Sequence, residues 1–536
     1  MKPIRIHWLP GLLLLCCWCA ASAAVPASEL RWLDHGRPTA HAWQALALLS
    51  DAASHGLDPQ DYHSAALMLA AQAATPARPA RPDLEQALTR SMQLYLRDLH
   101  QGRVDPRLLG VHFRPLQRPD FDPMPLLRKA LAAGDLEQAV RLAQPRLPQY
   151  QELRAVLAQY RALGQHPAWQ QALPALPPKP GRRLGLLKPG QSYAGLALLA
   201  ERLRVLGDLP PSPDPVPQAE HAQTLLYQGA LVQAVRAFQA RHGLLVDGVL
   251  GPNTLAQIEL SPAARVRQIE LALERLRWMP LQWGPRMVVV NVPEFVLRGY
   301  LVIDGRSVVQ TQMNVIVGRA RDARTPLFDA DIQVVEFSPY WHVPVSIARR
   351  DIVPRMRRDP TYFSRMGFDF VWPDGRVDAA KTAARLDAVA EGSLRLRQRP
   401  GPHNAMGDVK LVLPNPHTVL LHHTPAVDLF ARDRRDFSSG CIRVEKPLEL
   451  VQFVLGDQPG WTRQRIAAAL AAEQMRKVRL NQPVPVLIVY LTARVEQGRI
   501  YFFRDIYGHD RRLQQALQQR SQLLQRQRQR LPLAAD

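Results

Sequence analysis

The apolar residues of this chain follow two different periods, and the change between them most constrains the fold. Residues 25–217 carry apolar side chains at helical spacing, as at Trp43, Leu46 and Leu49. Residues 263–512 begin with one more helical segment and continue in short apolar runs that are typical of strands. With 536 residues the chain is too long for a single core. The sequence therefore predicts a multidomain α+β protein, with a helical N-terminal scaffold followed by a β-rich domain.

Turn-forming residues limit the predicted elements. The first helical stretch ends at Gly56, which suits the left-handed position after a helix, and Pro59 cannot continue that helix. Asp304 and Gly305 form a hairpin signal between two strand-like runs. Strands are predicted at residues 287–290, 295–303, 309–317, 332–337, 409–413 and 419–421, with a late hairpin of the same sheet at 484–495 and 499–503.

Two segments of the second half depart from the strand pattern. Residues 345–400 are rich in charge and helix formers and are broken by prolines, which predicts an insertion that caps the active site. The tail, residues 513–536, is rich in Gln, Arg and Leu. Its composition fits a helix with a solvated charged face, and a disordered segment nearly as well.

The N-terminus has the pattern of a secretory signal peptide over residues 1–24. Lys2 and Arg5 precede an apolar run, and small residues follow it. The apolar run is short for a membrane span, although an uncleaved anchor is the alternative. We therefore expect export to the periplasm and no transmembrane segment after cleavage.

Cysteine use narrows the chemistry. The chain has four cysteines, of which only Cys441 lies outside the predicted signal peptide. A single exported thiol is exposed to oxidation, so it is either buried and inert or kept for chemistry. Composition leaves these two interpretations open.

The charge of the chain is strongly basic, at +21 at pH 7. A basic exported protein favours anionic partners such as wall polymers or anionic lipid surfaces, and nucleic acid is not expected after export. A general arginine-rich bias of the proteome explains the same charge without any partner.

A cysteine and a histidine in residues 420–447 form the strongest candidate for chemistry. Gly440 precedes Cys441 and lets the backbone turn tightly, so that N–H groups there can point at a developing oxyanion. His422 ends a strand-like run and is the natural base for a thiol near neutral pH. Arg443 adds positive charge that favours a thiolate or an anionic substrate group. A buried inert cysteine is the alternative, and no ligand set completes a metal site around His422 and His423.

A shorter motif lies between the two halves, at residues 218–262. Its run AVRAFQARHGLLVDGVLGPNTLAQI has Leu231, Val235 and Phe238 on one helical face and a second short helix from Gly251. This run resembles the PG_binding_1 peptidoglycan-binding domain, a small three-helix module of cell-wall enzymes. The resemblance implies a wall-binding or positioning unit.

The cysteine segment resembles the active-site signature of the YkuD-fold L,D-transpeptidases, and most closely the large YcbB-type members. A histidine in L-H-x-T-P precedes a block F-S-S-G-C-I-R-V, here at residues 421–425 and 437–444. Supporting blocks include LERLRWMP, NVIVGRARDARTPLF, SPYWHVPVSI, RPGPHNAMGDVKLVLPN and DIYGHD. The similarity covers roughly residues 218–510.

The resemblance implies a role for each matched residue. Cys441 would attack the carbonyl group between the third and fourth residues of a tetrapeptide stem, after His422 takes its proton. The backbone carbonyl of His423 would orient the imidazole, and the N–H groups of Gly440 and Cys441 would bind the oxyanion. D-Ala would leave, and the amine of a second stem would resolve the thioester to give a 3→3 cross-link. Substrate contacts are expected from Arg443, Ser438, Ser439, Asn404 and Trp341, with no metal and no cofactor.

Two positions depart from the family pattern. His423 stands where relatives often have Asp, and Leu420 stands where Tyr is common. The first affects local charge, and the second removes one expected substrate contact. By resemblance, carbapenems should acylate Cys441, and wall synthases and carboxypeptidases are expected partners.

Three other activities fit parts of the same pattern. Water as the acceptor would make the protein an L,D-carboxypeptidase. An inactive wall-binding scaffold would keep the fold without the chemistry. A secreted cysteine peptidase would act on protein, although the binding module and the signature argue against it.

Overall fold

The computed structural model describes residues 30–75, 80, 82–114, 121–176, 185–210, 226–280, 284–456 and 458–530. The predicted signal peptide lies outside these residues. Within them, no helix is both long and apolar enough to span a membrane.

The N-terminal region is a helical domain, as predicted. Its core packs around Trp32, Tyr62 and Tyr95, which are all nearly inaccessible to solvent. Gly56 has a φ of 72°, which confirms the left-handed position predicted for it. Its elements are β1 (Leu33–Asp34), β2 (Arg37–Pro38), α1 (Ala40–Ser50), α2 (Ser64–Gln72), α3 (Pro82–Gln101), β3 (Val111–His112), α4 (Pro123–Ala132), α5 (Leu136–Ala143) and α6 (Pro148–Ala162).

The apolar stripe predicted on α1 is wrong at one position. Leu46 and Leu49 are buried, but Trp43 is 40% exposed. Ala42 and Ala45 lie on the buried face with Leu46 and Leu49, and this face packs against α2 and α3, so that Trp43 falls at its edge.

Three helices form the middle module: α7 (Leu196–Val205), α8 (Ala230–Arg241) and α9 (Pro252–Glu259). Val235 and Phe238 of α8 are buried in its core, as the sequence predicts. The same core contains Leu199 and Leu203 of α7. The unit that packs together therefore begins before residue 218, where the sequence pattern alone had suggested its start. Helix α10 (Pro262–Trp278) follows and buries Ile269, Leu273 and Leu276.

The β-rich domain begins with four long strands and one short one, and continues into the predicted insertion. The strands are β4 (Arg286–Asn291), β5 (Val296–Ile303), β6 (Arg306–Gly318), β7 (Leu327–Phe337) and β8 (Trp341–His342). The insertion contains α11 (Val345–Ile347), a π-helical turn (Ala348–Ile352), α12 (Val353–Arg358), α13 (Tyr362–Arg365), β9 (Phe368–Val371), β10 (Val377–Asp378), α14 (Ala383–Glu391) and β11 (Arg395–Gln398).

The insertion is a small subdomain with its own core. Met356, Phe363, Phe368 and Phe370 pack together within it. Its strands form a separate sheet in the order β10-β9-β11-β8. Strand β8 follows β7 along the chain and pairs with β11, so this sheet begins directly after a long strand of the β-rich domain.

The remaining elements complete the main sheet and the C-terminus. They are β12 (Val409–Val412), β13 (Leu421–His422), β14 (Asp436–Ser438), β15 (Ile442–Val444), α15 (Pro447–Leu455), α16 (Arg463–Ala471), β16 (Arg476–Val489), β17 (Ala493–Glu496), β18 (Arg499–Phe502) and α17 (His509–Arg530).

The main sheet runs in the order β12-β13-β15-β6-β5-β4-β16-β7-β3. Strand β12 also pairs with β7, so the path closes on itself. Closure leaves the inward side chains of these strands in one core around Val315, Ile442 and Ile488. Because β3 pairs with β7, the helical scaffold is joined to the same sheet.

The late hairpin is not part of this sheet, contrary to the sequence prediction. Strand β16 lies in the main sheet, whereas β17 and β18 pair only with each other. The Leu491 and Thr492 backbone leaves the sheet there, and Asn291 binds Leu491 through both its amide atoms. The separated hairpin packs instead against α6 and α10.

The C-terminal tail is helical through the described part of α17. Arg520 on this helix donates to both carboxylate oxygens of Asp98 on α3, at 2.6 and 2.8 Å. Asp98 also accepts from the Tyr62 hydroxyl at 2.8 Å. The helix is therefore fastened to the N-terminal domain.

Candidate active site

Strand pairing brings the predicted histidine and cysteine to the same end of the main sheet. His422 ends β13 and lies opposite Arg443 of the parallel strand β15. Cys441 comes just before β15. Both residues line a cavity of about 830 Å³, which is closed on its other side by the capping subdomain. Trp341, Ser438, Ser439, Gly440 and Arg443 line the same cavity.

The imidazole of His422 is held in one orientation. Its Nδ1 lies 2.6 Å from the carbonyl oxygen of His423. A carbonyl can only accept, so Nδ1 carries the proton in this bond and Nε2 keeps its lone pair. This tautomer leaves Nε2 free to take a proton, which is the requirement for a base.

Burial keeps both members of the pair neutral. Burial and, to a smaller extent, the Arg443 cation lower the pKa of His422 to about 3, although the carbonyl groups of His423 and Met406 oppose the shift. Burial raises the pKa of the Cys441 thiol, although the Leu420 N–H and Arg443 act in the opposite direction. At neutral pH the Cys441 thiol is therefore protonated and the His422 imidazole is neutral. In this resting state the Cys441 Sγ lies 3.8 Å from the carbonyl oxygen of Thr418, and its proton must move when the sulfur attacks.

The turn before Cys441 has a conformation that favours glycine. Gly440 has a φ of 117°. The Ser438 hydroxyl accepts from the Gly440 N–H at 3.1 Å and donates to the Cys441 carbonyl oxygen at 2.5 Å. Ser438 is thus buried within the turn that it closes, whereas Ser439 is exposed at the cavity surface.

A second set of hydrogen bonds supports this turn from below, through residues to which sequence reasoning gave no role. The Thr325 hydroxyl accepts from the Gly318 N–H and donates to the Gly440 carbonyl oxygen, both at 2.9 Å. The Tyr507 hydroxyl donates to the Gly318 carbonyl oxygen at 2.5 Å and accepts from the Thr325 N–H at 3.2 Å. Thr325 and Tyr507 lie in two of the sequence blocks that resemble YkuD-type enzymes. That resemblance is the feature of the sequence that points to these two residues.

Charges around the pair are mainly positive. Arg443 is half-buried, and its Nε has no hydrogen-bond acceptor among the described residues. His423, the departure from the family pattern, lies with Nδ1 3.0 Å from a carboxylate oxygen of Asp408. Arg355 of the capping subdomain also lines the cavity. The guanidinium groups of Arg443 and Arg355 suit a substrate that carries carboxylates.

Two predicted substrate contacts differ in their position. Trp341 lies on β8 at the cavity wall. Asn404 is buried behind it, where its amide donates to the carbonyl oxygens of Pro339 and Arg399 at 2.9 and 2.8 Å. Its side-chain oxygen accepts from the Met406 N–H at 2.7 Å. The Asn404 side chain therefore does not reach the cavity surface, unlike the side chain of Trp341. Its hydrogen bonds hold the loop that carries Met406.

The arrangement can perform nucleophilic acyl transfer. It combines a thiol, an oriented base and a tight turn with N–H groups beside the nucleophile. Across the described ranges, no cluster of three or more His, Cys, Asp or Glu side chains has the geometry of a metal site.

Comparison with known proteins adds three matched regions. Residues 27–157 match a family described as a "Scaffold domain", and residues 193–258 match a "Putative peptidoglycan binding domain". Residues 285–486 match the YkuD family, described as an "L,D-transpeptidase catalytic domain". A Haemophilus influenzae protein named "Putative L,D-transpeptidase" is 32% identical over 226 residues, which is 42% of this chain and 45% of the relative. The match thus spans about half the length of that relative.

Proposed function

Because residues 285–486 match an L,D-transpeptidase catalytic domain and residues 193–258 match a peptidoglycan-binding domain, we propose that the protein forms 3→3 cross-links in peptidoglycan through a thioester on Cys441. The observation that carries this proposal is the orientation of His422, whose Nδ1 is engaged by the His423 carbonyl while Nε2 is free to act as base. These families indicate a location at the cell wall. Export to the periplasm by a signal peptide is part of the proposal.

The first half-reaction acylates the enzyme. His422 Nε2 removes the Cys441 proton as the sulfur attacks the carbonyl carbon between the third and fourth residues of a tetrapeptide stem. The N–H groups of Gly440 and Cys441 stabilise the oxyanion. For this, the Gly440 N–H must turn from the Ser438 hydroxyl that it binds in the resting state. The tetrahedral intermediate collapses, the C–N bond breaks, and D-Ala leaves with the proton from the imidazolium.

The second half-reaction transfers the acyl group. The side-chain amine of a diamino acid in another stem attacks the thioester carbon, and His422 accepts the proton of the amine. The C–S bond then breaks, and the thiolate of Cys441 is reprotonated. Arg443 binds a carboxylate of the stem in this proposal, which is supported by its position in the cavity lining and by the lack of an ion-pair partner for it among the described residues.

Product analysis tests the proposal against its alternatives. The chain without residues 1–24 is incubated with a disaccharide-tetrapeptide, and the muropeptides are separated and sequenced by mass spectrometry. A 3→3 dimer that Cys441→Ala abolishes is expected. Tripeptide alone would identify a carboxypeptidase, and no conversion would identify a binding scaffold. Cleavage of casein with no action on the tetrapeptide would identify a peptidase.

A further inference from the structure

A second cavity lies between the peptidoglycan-binding module and the β-rich domain. Its volume is about 370 Å³. Gly243 and Leu244, which follow α8, form one wall, and Phe295, Phe503 and Ile506 of the β-rich domain contribute to the other. No residue of the proposed mechanism lines this cavity.

Arginine dominates its lining. Five arginines and three acidic residues face the cavity, which leaves an excess of two positive charges. The residues are Arg298, Arg434, Arg435, Arg494, Arg504, Glu294, Asp433 and Glu496.

The acidic residues neutralise only part of this charge. Glu294 binds Arg298 at 2.6 Å and Arg494 at 3.0 Å, and Arg494 also binds Glu496. Arg434 is engaged by Asp436. Arg435 and Arg504 have no ion-pair partner within the described part of the chain. Arg435 donates to a carbonyl oxygen of Phe295 at 3.3 Å and to Asn314 at 3.1 Å.

Several buried donors around the cavity lack an acceptor. The Nε atoms of Arg298, Arg435 and Arg494 and one terminal nitrogen of Arg504 are buried and unpaired in the described structure. Buried N–H groups of native proteins nearly always have a partner, since leaving one unpaired costs about 1–3 kcal/mol. Burial also lowers the pKa of Arg435 and of Arg504, although nearby carboxylates, Asp433 among them, act in the opposite direction. An anion in the cavity would supply what these groups lack.

We propose that this cavity binds a carboxylate group of a peptidoglycan stem peptide. The inference rests on the proposed function, because stem peptides carry free carboxylates and one wall of the cavity belongs to the peptidoglycan-binding module. Guanidinium groups bind carboxylates through paired, charge-assisted hydrogen bonds. Phosphate has the same attraction to arginine, so the test includes it separately.

The position of the cavity relates it to the catalytic segment. Arg435 and Asp436 lead directly into the turn that carries Cys441. The Arg435 carbonyl oxygen accepts from the Val317 N–H at 2.9 Å, and Asp436 accepts from the Ala320 N–H at 3.2 Å. A stem bound here would be held next to the strand that supports the active site.

Methyl NMR distinguishes the two cavities in one experiment. Ile506 and Leu244 line the second cavity, whereas Ile347 and Ile352 line the active-site cavity. The chain without residues 1–24 and with Cys441→Ala, which prevents turnover, is labelled at Ile and Leu methyl groups and titrated with the disaccharide-tetrapeptide. Two further titrations are run in parallel. One uses the disaccharide-tetrapeptide with its carboxylates amidated, and the other uses inorganic phosphate.

The tetrapeptide should shift Ile506 and Leu244, and its amidated form should not. Adding Arg504→Gln should weaken the response at Ile506 by about tenfold, while Ile347 and Ile352 still respond and so report a folded protein. Arg306→Gln, an exposed arginine at the tip of the β5–β6 hairpin, is the matched control and should change neither response.

Three outcomes would overturn the inference. These are no shift at Ile506 at saturating tetrapeptide, a shift that Arg504→Gln leaves unchanged, and a response to phosphate without one to the tetrapeptide. If the protein with Cys441→Ala alone shows no shift at Ile347 and Ile352, the proposed function is contradicted instead. Failure of the inference and failure of the proposed function are therefore distinguishable.

Discussion

The Thr325 hydroxyl donates a hydrogen bond of 2.9 Å to the carbonyl oxygen of Gly440, the residue before Cys441. The same hydroxyl accepts from the N–H of Gly318, whose carbonyl oxygen is bound by Tyr507. The Cys441 turn is therefore held by residues from two distant parts of the chain. Its orientation decides where the N–H groups beside the sulfur point, which makes Thr325 and Tyr507 positioning residues.

Replacing Thr325 with valine keeps the side-chain shape and removes only the hydroxyl. We expect Thr325→Val to lower the acylation rate about 10- to 100-fold with little change in KM, because the oxyanion donors lose their orientation. Stability should fall by about 1–3 kcal/mol, since two buried backbone groups lose a partner. Thr311→Val, on the same strand system but away from the site, is the control. An acylation rate equal to that of the parent would contradict the positioning role.

The protonation state of Cys441 can be measured by alkylation. Burial raises the pKa of this thiol, so the fraction of reactive thiolate should be small at pH 7. This fraction should still increase with pH above the pKa of an ordinary thiol. The rate of reaction with iodoacetamide between pH 6 and 10 reports the thiolate fraction, and Cys441→Ala gives the background rate. A rate that is already constant between pH 6 and 8 would mean a preformed thiolate–imidazolium pair.

The positive charge of Arg443 lowers the pKa of both His422 and Cys441. Arg443→Met should therefore move the alkylation midpoint of Cys441 to higher pH, because the thiolate loses a stabilising charge. Arg443→Lys should restore part of the shift, and Arg306→Met should have no effect. An unchanged midpoint in Arg443→Met would show that the charge of Arg443 does not reach the sulfur.

Gly440 and Gly305 allow a matched test of backbone conformation. Both have positive φ, at 117° and 72°, and a side chain at either position strains the backbone by about 1–3 kcal/mol. Gly305→Ala lies in an exposed hairpin with no atom near the new Cβ, so it should change stability alone. Gly440→Ala should also reduce acylation by at least about tenfold, because the strained turn carries the oxyanion donors. Equal kinetics in the two variants would remove Gly440 from the site.

Local sequence patterns predicted where helices and turns lie better than they predicted which strands pair with each other. Gly56 was predicted from its turn chemistry, and the helix that buries Ile269 and Leu273 from its period, because both depend on neighbours in sequence. The late hairpin was assigned to the wrong sheet. Strand periodicity reports which face is buried, but it does not say which strand lies alongside.

In the candidate active site too, residues within one short segment were predicted, and residues brought together by the fold were not. His422 and Cys441 were candidates from their residue types, and the resemblance of their segment to the L,D-transpeptidase signature decided against a buried inert cysteine. Thr325 and Tyr507 were not assigned roles, because only closure of the sheet brings them under Gly440. Asn404 was predicted to contact substrate, yet a buried amide that satisfies three backbone groups cannot be told from an exposed one by residue type.

The most direct test of the central claim is the intact mass of the enzyme after acid quenching with disaccharide-tetrapeptide present. We predict a covalent adduct with the mass of the donor less D-Ala, mapped to Cys441, absent in Cys441→Ala and slower to form by about 10²–10⁴-fold in His422→Ala. Formation of cross-linked product by Cys441→Ala, or an adduct on another residue, would contradict the account.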